Sequence, residues 1–220
     1  MTGKLFIVAT PIGNLNDITF RAVDVLKNVD IVLAEDTRHS KKLFTHFEIS
    51  TPIRAFHEHN EREKTKAIID KIHSGKSIAL ISDAGTPLIS DPGYYLVAYA
   101  KKEGIDVTPI PGPSALITAL SASGLASDSF TFFGFLPSKQ TARVKFLQKL
   151  ISSSETSIFY ESPKRILATL TDMLSIFGSE REVCLAKELT KSFETIYTDK
   201  IPSLIEYLTT DLAHQKGEFV

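Results

Sequence analysis

The sequence has little of what disulfide-bonded, zinc-binding or membrane-spanning proteins need. It contains no tryptophan and a single cysteine, Cys184, among its 220 residues. One cysteine excludes an intramolecular disulfide and a zinc site built from several cysteines. The longest apolar run near the N-terminus, residues 5–9, is too short for a membrane span or for the core of a signal peptide. We therefore expect a soluble, cytoplasmic protein that has no membrane partner.

The chain also lacks an excess of either charge. Lysine and arginine number 25 against 26 aspartates and glutamates, which gives a formal net charge of −1. Overall charge therefore does not drive this protein onto nucleic acid, and any polyanion has to meet a local basic patch. Hydrophobic residues make up 43% of the chain, which is enough to form real cores. This length suits one large domain or two compact ones.

Short apolar runs alternate with helical stretches through the first half of the chain. The runs are continuous rather than alternating in polarity, as in parallel strands that are covered on both faces. They predict strands at residues 4–9, 30–34, 53–56, 77–81 and 106–110, and the segments between them predict helices at residues 19–27, 40–47, 61–73 and 94–102. Asn60 and Glu63 resemble a capping box, and Gly75 and Gly104 fit left-handed positions after helices. The alternation predicts a mostly parallel α/β sheet.

Three prolines within residues 109–113 interrupt this pattern, because proline continues neither a helix nor a central strand. Beyond them the sequence predicts helices at residues 114–123, 142–150, 163–177 and 202–208, and strands at residues 130–135, 156–160, 182–186 and 193–197. The last two strands suggest a hairpin and hence a mixed sheet. We expect two α/β domains, residues 1–112 and 113–220, with a ligand cleft between them. Residues 216–220 look like a strand just begun, either a short edge strand or one that has been cut.

Several loops with glycine, proline and polar residues directly follow predicted strands. Such loops are where α/β proteins bind ligands. The most unusual, SDAGTPLISDPG at residues 82–93, combines permissive glycines, stiffening prolines and two aspartates. Its carboxylates suit a cationic or hydroxyl-bearing ligand better than a phosphate. Residues 10–14 lack the spacing of a dinucleotide or phosphate loop, and residues 111–115 fit either a helix start that holds a carboxylate or an interdomain hinge.

Charged residues at other strand ends leave two interpretations open. Asp36, beside Arg38, could orient a substrate hydroxyl or simply cap the next helix. His57 follows the third strand without a second cluster of ligands, so we expect no metal site. Residues 159–165 and 186–191 each set a carboxylate beside a lysine. Such pairs are solvated ion pairs unless their strand edges line a ligand cleft.

Taken together, these segments resemble the tetrapyrrole methylase superfamily of S-adenosylmethionine (SAM)-dependent methyltransferases. The matching segments occur in order at residues 8–19, 34–38, 82–93, 109–115, 134–137, 159–165, 186–191 and 216–220. Within the superfamily, the sequence is most similar to the bacterial branch that 2′-O-methylates the ribose of a cytidine in the decoding region of 16S ribosomal RNA (rRNA). Residues 10–14 depart from the glycine-rich first loop of the wider superfamily, which fits the RNA-modifying branch better than the corrin and sirohaem enzymes. Chains of this branch tend to continue past residues 216–220 into a further strand.

The resemblance implies SAM as the methyl donor, 16S rRNA within the 30S subunit as the partner, a homodimer and no metal. It places SAM contacts at Pro11, Ile12, Gly13, Asp83, Ala84, Gly85, Thr86, Ile89, Ser114, Ala115, Tyr160, Glu161 and Leu189. Substrate contacts are expected at Asn14, Arg38, His57, Lys164 and Arg165. A ribose 2′-hydroxyl is a poor nucleophile, so a base or a hydrogen-bond acceptor should meet its proton. We assign that role to Asp36 or Glu161, with Lys187 or Arg38 stabilising local charge.

Three alternatives stay open at this point. A porphyrinoid methyltransferase acting on uroporphyrinogen or a precorrin would share the fold and the SAM site, and its polycarboxylate substrate would also meet basic patches. A diphthamide-type protein methyltransferase matches residues 82–93 less well. The chain could instead be a non-catalytic rRNA-binding assembly factor that keeps a vestigial SAM cleft.

Overall fold

The computed structural model describes residues 3–220, and the chain divides into two compact units. The first unit ends at Ser114, and the second runs from Ala115 to Val220. Strands and helices alternate through the first unit and through the second as far as its last two strands, which follow one another, as the sequence pattern predicts. Within the described residues, no helix combines the length and the apolar character needed to cross a bilayer.

The first unit is a five-stranded parallel sheet with helices on both faces. Its strands are β1 (Leu5–Val8), β2 (Ile31–Ala34), β3 (Ile53–Ala55), β4 (Ile78–Ile81) and β5 (Val107–Ile110). They lie in the order β3-β2-β4-β1-β5, and every neighbouring pair is parallel. The helices are α1 (Phe20–Asn28), α2 (Thr37–His46), α3 (Glu61–His73) and α4 (Tyr94–Lys102). A short 3-10 helix at Leu15–Asp17, which the sequence pattern does not predict, precedes α1.

Burial on both faces explains why the strands of this sheet read as continuous apolar runs. Successive residues of a strand point to opposite faces of the sheet. Val32 and Ala79 pack with α1 and α2 in one core, whereas Leu33 and Leu80 pack with α3 and α4 in the other. Because all strands are parallel, the loops and helix starts that follow them gather at one edge of the sheet.

The second unit contains two small two-stranded sheets. β6 (Phe130–Phe135) pairs in parallel with β7 (Thr156–Tyr160), and β8 (Glu182–Lys187) pairs in antiparallel with β9 (Thr195–Lys200). The predicted hairpin is therefore confirmed, and the unit contains both strand directions, but they lie in two separate sheets rather than in one mixed sheet. Phe219 forms antiparallel bridges with Glu161 and with Lys187, so it lies between the ends of β7 and β8. The helices of this unit are α5 (Ala115–Ala122), α6 (Gln140–Gln148), α7 (Ile166–Phe177) and α8 (Ile201–Thr210).

A buried ion pair joins two helices of the second unit. The side chains of Arg143 in α6 and Asp172 in α7 are both buried, and Nη2 of Arg143 lies 2.6 Å from Oδ2 of Asp172. Gln140 donates to the other carboxylate oxygen over 2.9 Å. The same two helices contribute Leu147 and Leu170 to the apolar core of this unit. The polar network is therefore satisfied within an apolar region.

Side-chain hydrogen bonds explain where the starts of two helices differ from the prediction. Helix α2 begins at Thr37 rather than at residue 40, because the Asp36 carboxylate caps it by accepting from the backbone N–H of Arg38. The predicted capping box at Asn60 is wrong, because the Asn60 side chain bonds to His57 and makes no cap hydrogen bond. The φ angles of Gly75 and Gly104 are +96° and +71°, which confirms the two left-handed positions.

Candidate functional site

Three loops at the carboxyl edge of the first unit's sheet are fastened to one another. Thr10, after β1, and Gly85, after β4, exchange two backbone hydrogen bonds of 2.9 and 3.0 Å. The hydroxyl of Thr86 donates over 3.1 Å to the carbonyl of Pro113, which follows β5. These bonds bring the predicted cofactor residues at positions 11–13 and 84–86 into one region of the unit.

The loop of residues 82–93 has an unusual backbone. Gly85 and Gly93 have φ angles of +77° and +127°, and Leu88 and Ser90 also adopt positive values of +73° and +65°. Non-glycine residues in this conformation store strain, which is typical of functional sites. The buried hydroxyl of Ser82 bonds to the carbonyls of Ala84 and Gly85 over 3.2 and 3.3 Å. The loop is therefore held in a defined shape by its own hydrogen bonds.

Some of the predicted cofactor residues of this region are buried, and others are exposed at the surface. Ile12 and Gly85 are buried, and a Cβ built on Gly85 would lie 3.4 Å from Cγ2 of Ile12. Gly13, Ala84 and Ile89 are exposed. At Gly13 and Ala84 the surface therefore presents small side chains and backbone, to which a ligand can lie close.

A group of carboxylates accompanies the loop. Burial raises the pKa of Asp91 to about 7, and the negative charges of Glu35 and Asp83 act in the same direction. Burial and the charge of Asp83 likewise raise the pKa of Glu35. Asp83 also accepts a 3.0 Å hydrogen bond from the backbone N–H of Asp36, which ties this loop to the one after β2. Negative charge that is so poorly compensated favours a nearby cation.

The surroundings of Asp36 lower its pKa, whereas those of Glu35 and Asp91 raise theirs. Its carboxylate accepts from Nε and Nη2 of Arg38 over 3.1 and 2.8 Å, and it also caps α2. The hydrogen bonds from the Arg38 side chain and backbone lower the pKa of Asp36 to about 2. Of the two roles that the sequence left open for Asp36, helix capping is therefore present in the structure. The Arg38 side chain is 87% exposed and so remains accessible to a substrate.

The ring of His57 is held in one orientation. The Asn60 side chain accepts from the backbone N–H of His57 and lies 2.8 Å from its Nε2 through the amide nitrogen. Since that amide nitrogen is a donor, Nε2 accepts and the ring hydrogen resides on Nδ1 in the neutral form. The Nδ1 atom is buried and has no hydrogen-bond partner among the described residues.

In the second unit, the buried residue Glu161 lies between the end of β7 and the start of α7. Its carboxylate accepts from the backbone N–H of Ser162 over 2.6 Å and from the hydroxyl of Thr169 over 2.8 Å. Nη2 of Arg165 completes the set at 2.7 Å, and the same guanidinium donates to the carbonyl of Leu136. The Glu161 carboxylate is therefore fully engaged in holding the start of α7.

The other predicted residues of the second unit differ in exposure. Lys187 is buried, and its ammonium donates over 3.0 Å to the carbonyl of Ala213. Leu189 is buried, whereas Lys164 is exposed. The Tyr160 ring packs edge-to-face on Phe132 with the ring centroids 4.8 Å apart. The predicted site residues that belong to the second unit are Ala115, Tyr160, Glu161, Lys164, Arg165, Lys187 and Leu189. The remaining predicted site residues belong to the first unit.

Comparison with known proteins settles the family. Residues 4–205 match the family model described as tetrapyrrole (corrin/porphyrin) methylases. The chain belongs to this family. It is 58% identical over 216 residues to the "Ribosomal RNA small subunit methyltransferase I" of Vibrio cholerae, a match that covers 98% of this chain and 75% of the relative. The relative of the same name from Escherichia coli O157:H7 is 50% identical over 218 residues, with coverages of 99% and 76%.

Solved structures agree with the family at the level of the fold. The structure of a cobalt precorrin-4 methyltransferase superimposes on this methylase with a TM-score of 0.67 at 20% identity, covering 98% of this chain and 92% of the other. Diphthine synthase gives a TM-score of 0.73 at 14% identity, with coverages of 93% and 84%. The predicted α/β class with a tetrapyrrole methylase-like fold is therefore confirmed.

Sequence reasoning missed several polar residues that shape this methylase's loops. Thr10 and Ser82 are buried at strand ends, where they fix the loops after β1 and β4. Glu35 and Asp91 carry the raised pKa values but were not among the predicted site residues. Thr10, Ser82 and Glu35 each stand directly after an apolar run, and Asp91 is one of the two aspartates that the sequence shows in the loop of residues 82–93.

Metal-binding side chains and cavities complete the description of the candidate site. Across residues 3–220, no group of three or more histidine, cysteine or acidic side chains is placed to hold a metal ion. A cavity of about 670 Å³ opens in the second unit, and its lining includes Ile158, Leu170, Cys184 and Val220. The lining also includes polar side chains, among them the predicted site residue Glu161.

Proposed function

We propose that this protein is a SAM-dependent methyltransferase that 2′-O-methylates the ribose of a cytidine in the 16S rRNA of the small ribosomal subunit. The observation that carries the proposal is the contrast in identity between two groups of relatives. Proteins named ribosomal RNA small subunit methyltransferase I are 50% to 58% identical over nearly the whole chain. The precorrin, uroporphyrin and diphthine enzymes share the fold at only 14% to 20% identity. An rRNA substrate is therefore better supported than a porphyrinoid or a protein.

The chemistry of the loop of residues 82–93 fits the proposed cofactor. When bound, SAM supplies a methyl group carried on a positively charged sulfur. The exposed Ala84 and the φ of Gly85 leave the backbone open to a ligand, and the carboxylates of Glu35, Asp83 and Asp91 favour positive charge. We propose that SAM is held by Pro11, Ile12, Gly13, Asp83, Ala84, Gly85, Thr86, Ile89, Ser114, Ala115, Tyr160, Glu161 and Leu189.

The predicted catalytic residues take different roles under this proposal. With a pKa of about 2, Asp36 stays ionised at neutral pH, so it orients a hydroxyl as a hydrogen-bond acceptor and is a weak proton acceptor. Glu161 acts as a positioning residue, because its oxygens already accept from three groups. Lys187 anchors the segment at Ala213. Asn14, Arg38, His57, Lys164 and Arg165 remain the proposed substrate contacts.

The test offers labelled SAM and three acceptors to the protein, namely intact 30S subunits, naked 16S rRNA and uroporphyrinogen. We expect methyl transfer to RNA in 30S subunits and a cytidine ribose linkage that resists alkaline cleavage, because a 2′-O-methyl group blocks that reaction. Transfer to uroporphyrinogen alone would refute the proposal. Tight 30S binding without SAM binding in calorimetry would instead support the non-catalytic assembly factor.

A variant of Asp36 separates its two roles within the same assay. Asparagine also caps helices well, so Asp36→Asn keeps the start of α2 and removes the carboxylate charge. We expect a lower kcat with little change in the KM for SAM. A kcat equal to that of the unaltered protein would exclude Asp36 from orienting the acceptor.

A further inference from the structure

Flat side chains gather where α3 and α4 begin, at the carboxyl edge of the first unit. Tyr94, the first residue of α4, is 76% exposed, and Tyr95 beside it is 36% exposed. The guanidinium carbon of Arg62, from the first turn of α3, lies 5.5 Å from the centre of the Tyr95 ring. We call Arg62, Tyr94 and Tyr95 the aromatic platform. It comprises a cation beside one aromatic ring and a second, more exposed ring on the neighbouring residue of α4.

A buried carboxylate fixes the base of the aromatic platform. Gly93 precedes α4 and has no side chain with which to cap it. Glu61 at the start of α3 takes this role, since its buried Oε1 accepts a 3.1 Å hydrogen bond from the backbone N–H of Leu96. The starts of the two helices are therefore joined, and the platform is organised before any ligand arrives.

The sheet packing places the aromatic platform next to the proposed cofactor loop. Tyr94 directly follows the loop of residues 82–93. A Cβ on Gly93 would approach Cδ2 of Leu80 to 2.6 Å, so the chain turns into α4 while tightly packed on the end of β4. A group held on the platform would therefore lie at the same sheet edge as Ala84 and Gly85.

We propose that the aromatic platform binds an unpaired base of the substrate RNA beside the site of methyl transfer. This inference rests on the proposed function. Sequence-specific enzymes of RNA hold unstacked bases on aromatic rings and on guanidinium planes. Tyr94 supplies the exposed ring, and Arg62 supplies a planar cation that also attracts phosphate. Two exposed tyrosines do not supply the roughly 800 Å² per partner that a stable protein interface buries, so a base fits the platform better than a second protein.

The absence of tryptophan makes the platform directly observable. Tyr94→Trp creates a protein with a single tryptophan at the proposed contact. We expect the fluorescence of this tryptophan to be quenched when a single-stranded RNA oligonucleotide of decoding-region sequence is added. An oligonucleotide that leaves the tryptophan emission unchanged while it binds to the protein would overturn the proposal.

Three further variants measure the contribution of the ring. Tyr94→Ala should weaken RNA binding by about tenfold or more and raise the KM for 30S subunits, while Tyr94→Phe should bind as the unaltered protein does. Phe20→Ala is the matched control, because Phe20 is 93% exposed and begins a helix at the same edge of the sheet, but α1 packs on the face opposite to α4. Equal losses in Phe20→Ala and Tyr94→Ala would contradict a specific stacking role. Tyr94 is so exposed that its variants should keep the melting temperature of the unaltered protein.

The outcomes also separate this inference from the proposed function. If the unaltered protein methylates 30S subunits and Tyr94→Ala does so with the same KM, the inference fails and the function stands. If the tryptophan responds to RNA but no methyl group is transferred, the function fails and the RNA-binding platform stands. If Tyr94→Ala instead lowers the oligomeric state measured by light scattering, the surface belongs to a second copy of the chain, and the RNA proposal is refuted.

Discussion

At the scale of single residues, Gly85 allows a direct test of the cofactor loop. A Cβ there would make only ordinary contacts, so Gly85→Ala is strained by its φ of +77° and not by crowding. We expect a loss of about 1 kcal/mol in the free energy of unfolding, together with weaker SAM binding in calorimetry.

Gly104→Ala is the control for this variant. Gly104 has a similar φ of +71°, a Cβ built on it would meet no atom within 4 Å, and it lies outside the proposed site. The control should lose similar stability and keep its SAM affinity. Unchanged SAM affinity in Gly85→Ala would remove this loop from the cofactor site.

Asp91 makes stability depend on pH. Its pKa is raised by burial and neighbouring carboxylates from 3.8 to about 7, so the folded state binds more protons than the unfolded state between those values. Stability should therefore fall as the pH rises from about 4 to about 7. Asp91→Asn removes the ionisation, and it should melt at a higher temperature than the unaltered protein at pH 8 but not at pH 4. Discounted for solvent screening, the gain in the free energy of unfolding of Asp91→Asn at pH 8 is about 1 kcal/mol.

The control for this substitution is Asp70→Asn, on the exposed side of α3. A melting temperature that does not depend on pH in this way would show that the pKa of Asp91 is not raised.

At the scale of secondary-structure elements, the buried ion pair between α6 and α7 gives the sharpest stability prediction. Arg143→Met would leave the Asp172 carboxylate buried without its partner, which is strongly unfavourable. We expect the free energy of unfolding in denaturant to fall by about 3–5 kcal/mol. The double variant with Asp172→Leu should recover much of this loss. Lys4→Met breaks the exposed Lys4–Asp106 pair and should change stability by less than about 1 kcal/mol. Equal effects of Arg143→Met and Lys4→Met would refute the role of burial.

The elements also show which parts of the fold a sequence can reveal. Strands such as β2 and β4 were predictable because they are buried on both faces, which makes them continuously apolar. Helix starts were less predictable, because the groups that cap them can come from far along the chain. The cap on α4 comes from Glu61, which is 35 positions before Leu96. Asn60 has the residue type of a cap but binds His57 instead.

At the scale of the whole molecule, the site depends on an order of strands that no local pattern contains. The order β3-β2-β4-β1-β5 sets β4 between β2 and β1, so the loop of residues 82–93 meets the loops after both strands. The hydrogen bonds of Gly85 to Thr10 and of Asp83 to Asp36 follow from this neighbourhood. The sequence predicted which loops would carry the chemistry. The contacts between loops, and the shared burial that raises the pKa of Asp91, appear only when the sheet is assembled.

The net charge of the molecule predicts how its binding to RNA responds to salt. With a formal net charge of −1, the protein cannot use overall attraction and must neutralise phosphates through a few exposed cations such as Lys41 and Arg62. About three phosphate contacts on single-stranded RNA give a slope near −2 in a plot of log K against log salt, hence about a 15-fold loss of affinity between 50 and 200 mM salt. Lys41→Ala should reduce the slope by about 0.7 while the Tyr94→Trp signal persists in the double variant. Fluorescence titrations of a decoding-region RNA at several salt concentrations measure both quantities. A loss of about 1,000-fold or more would mean that many more phosphates are neutralised than local patches can account for.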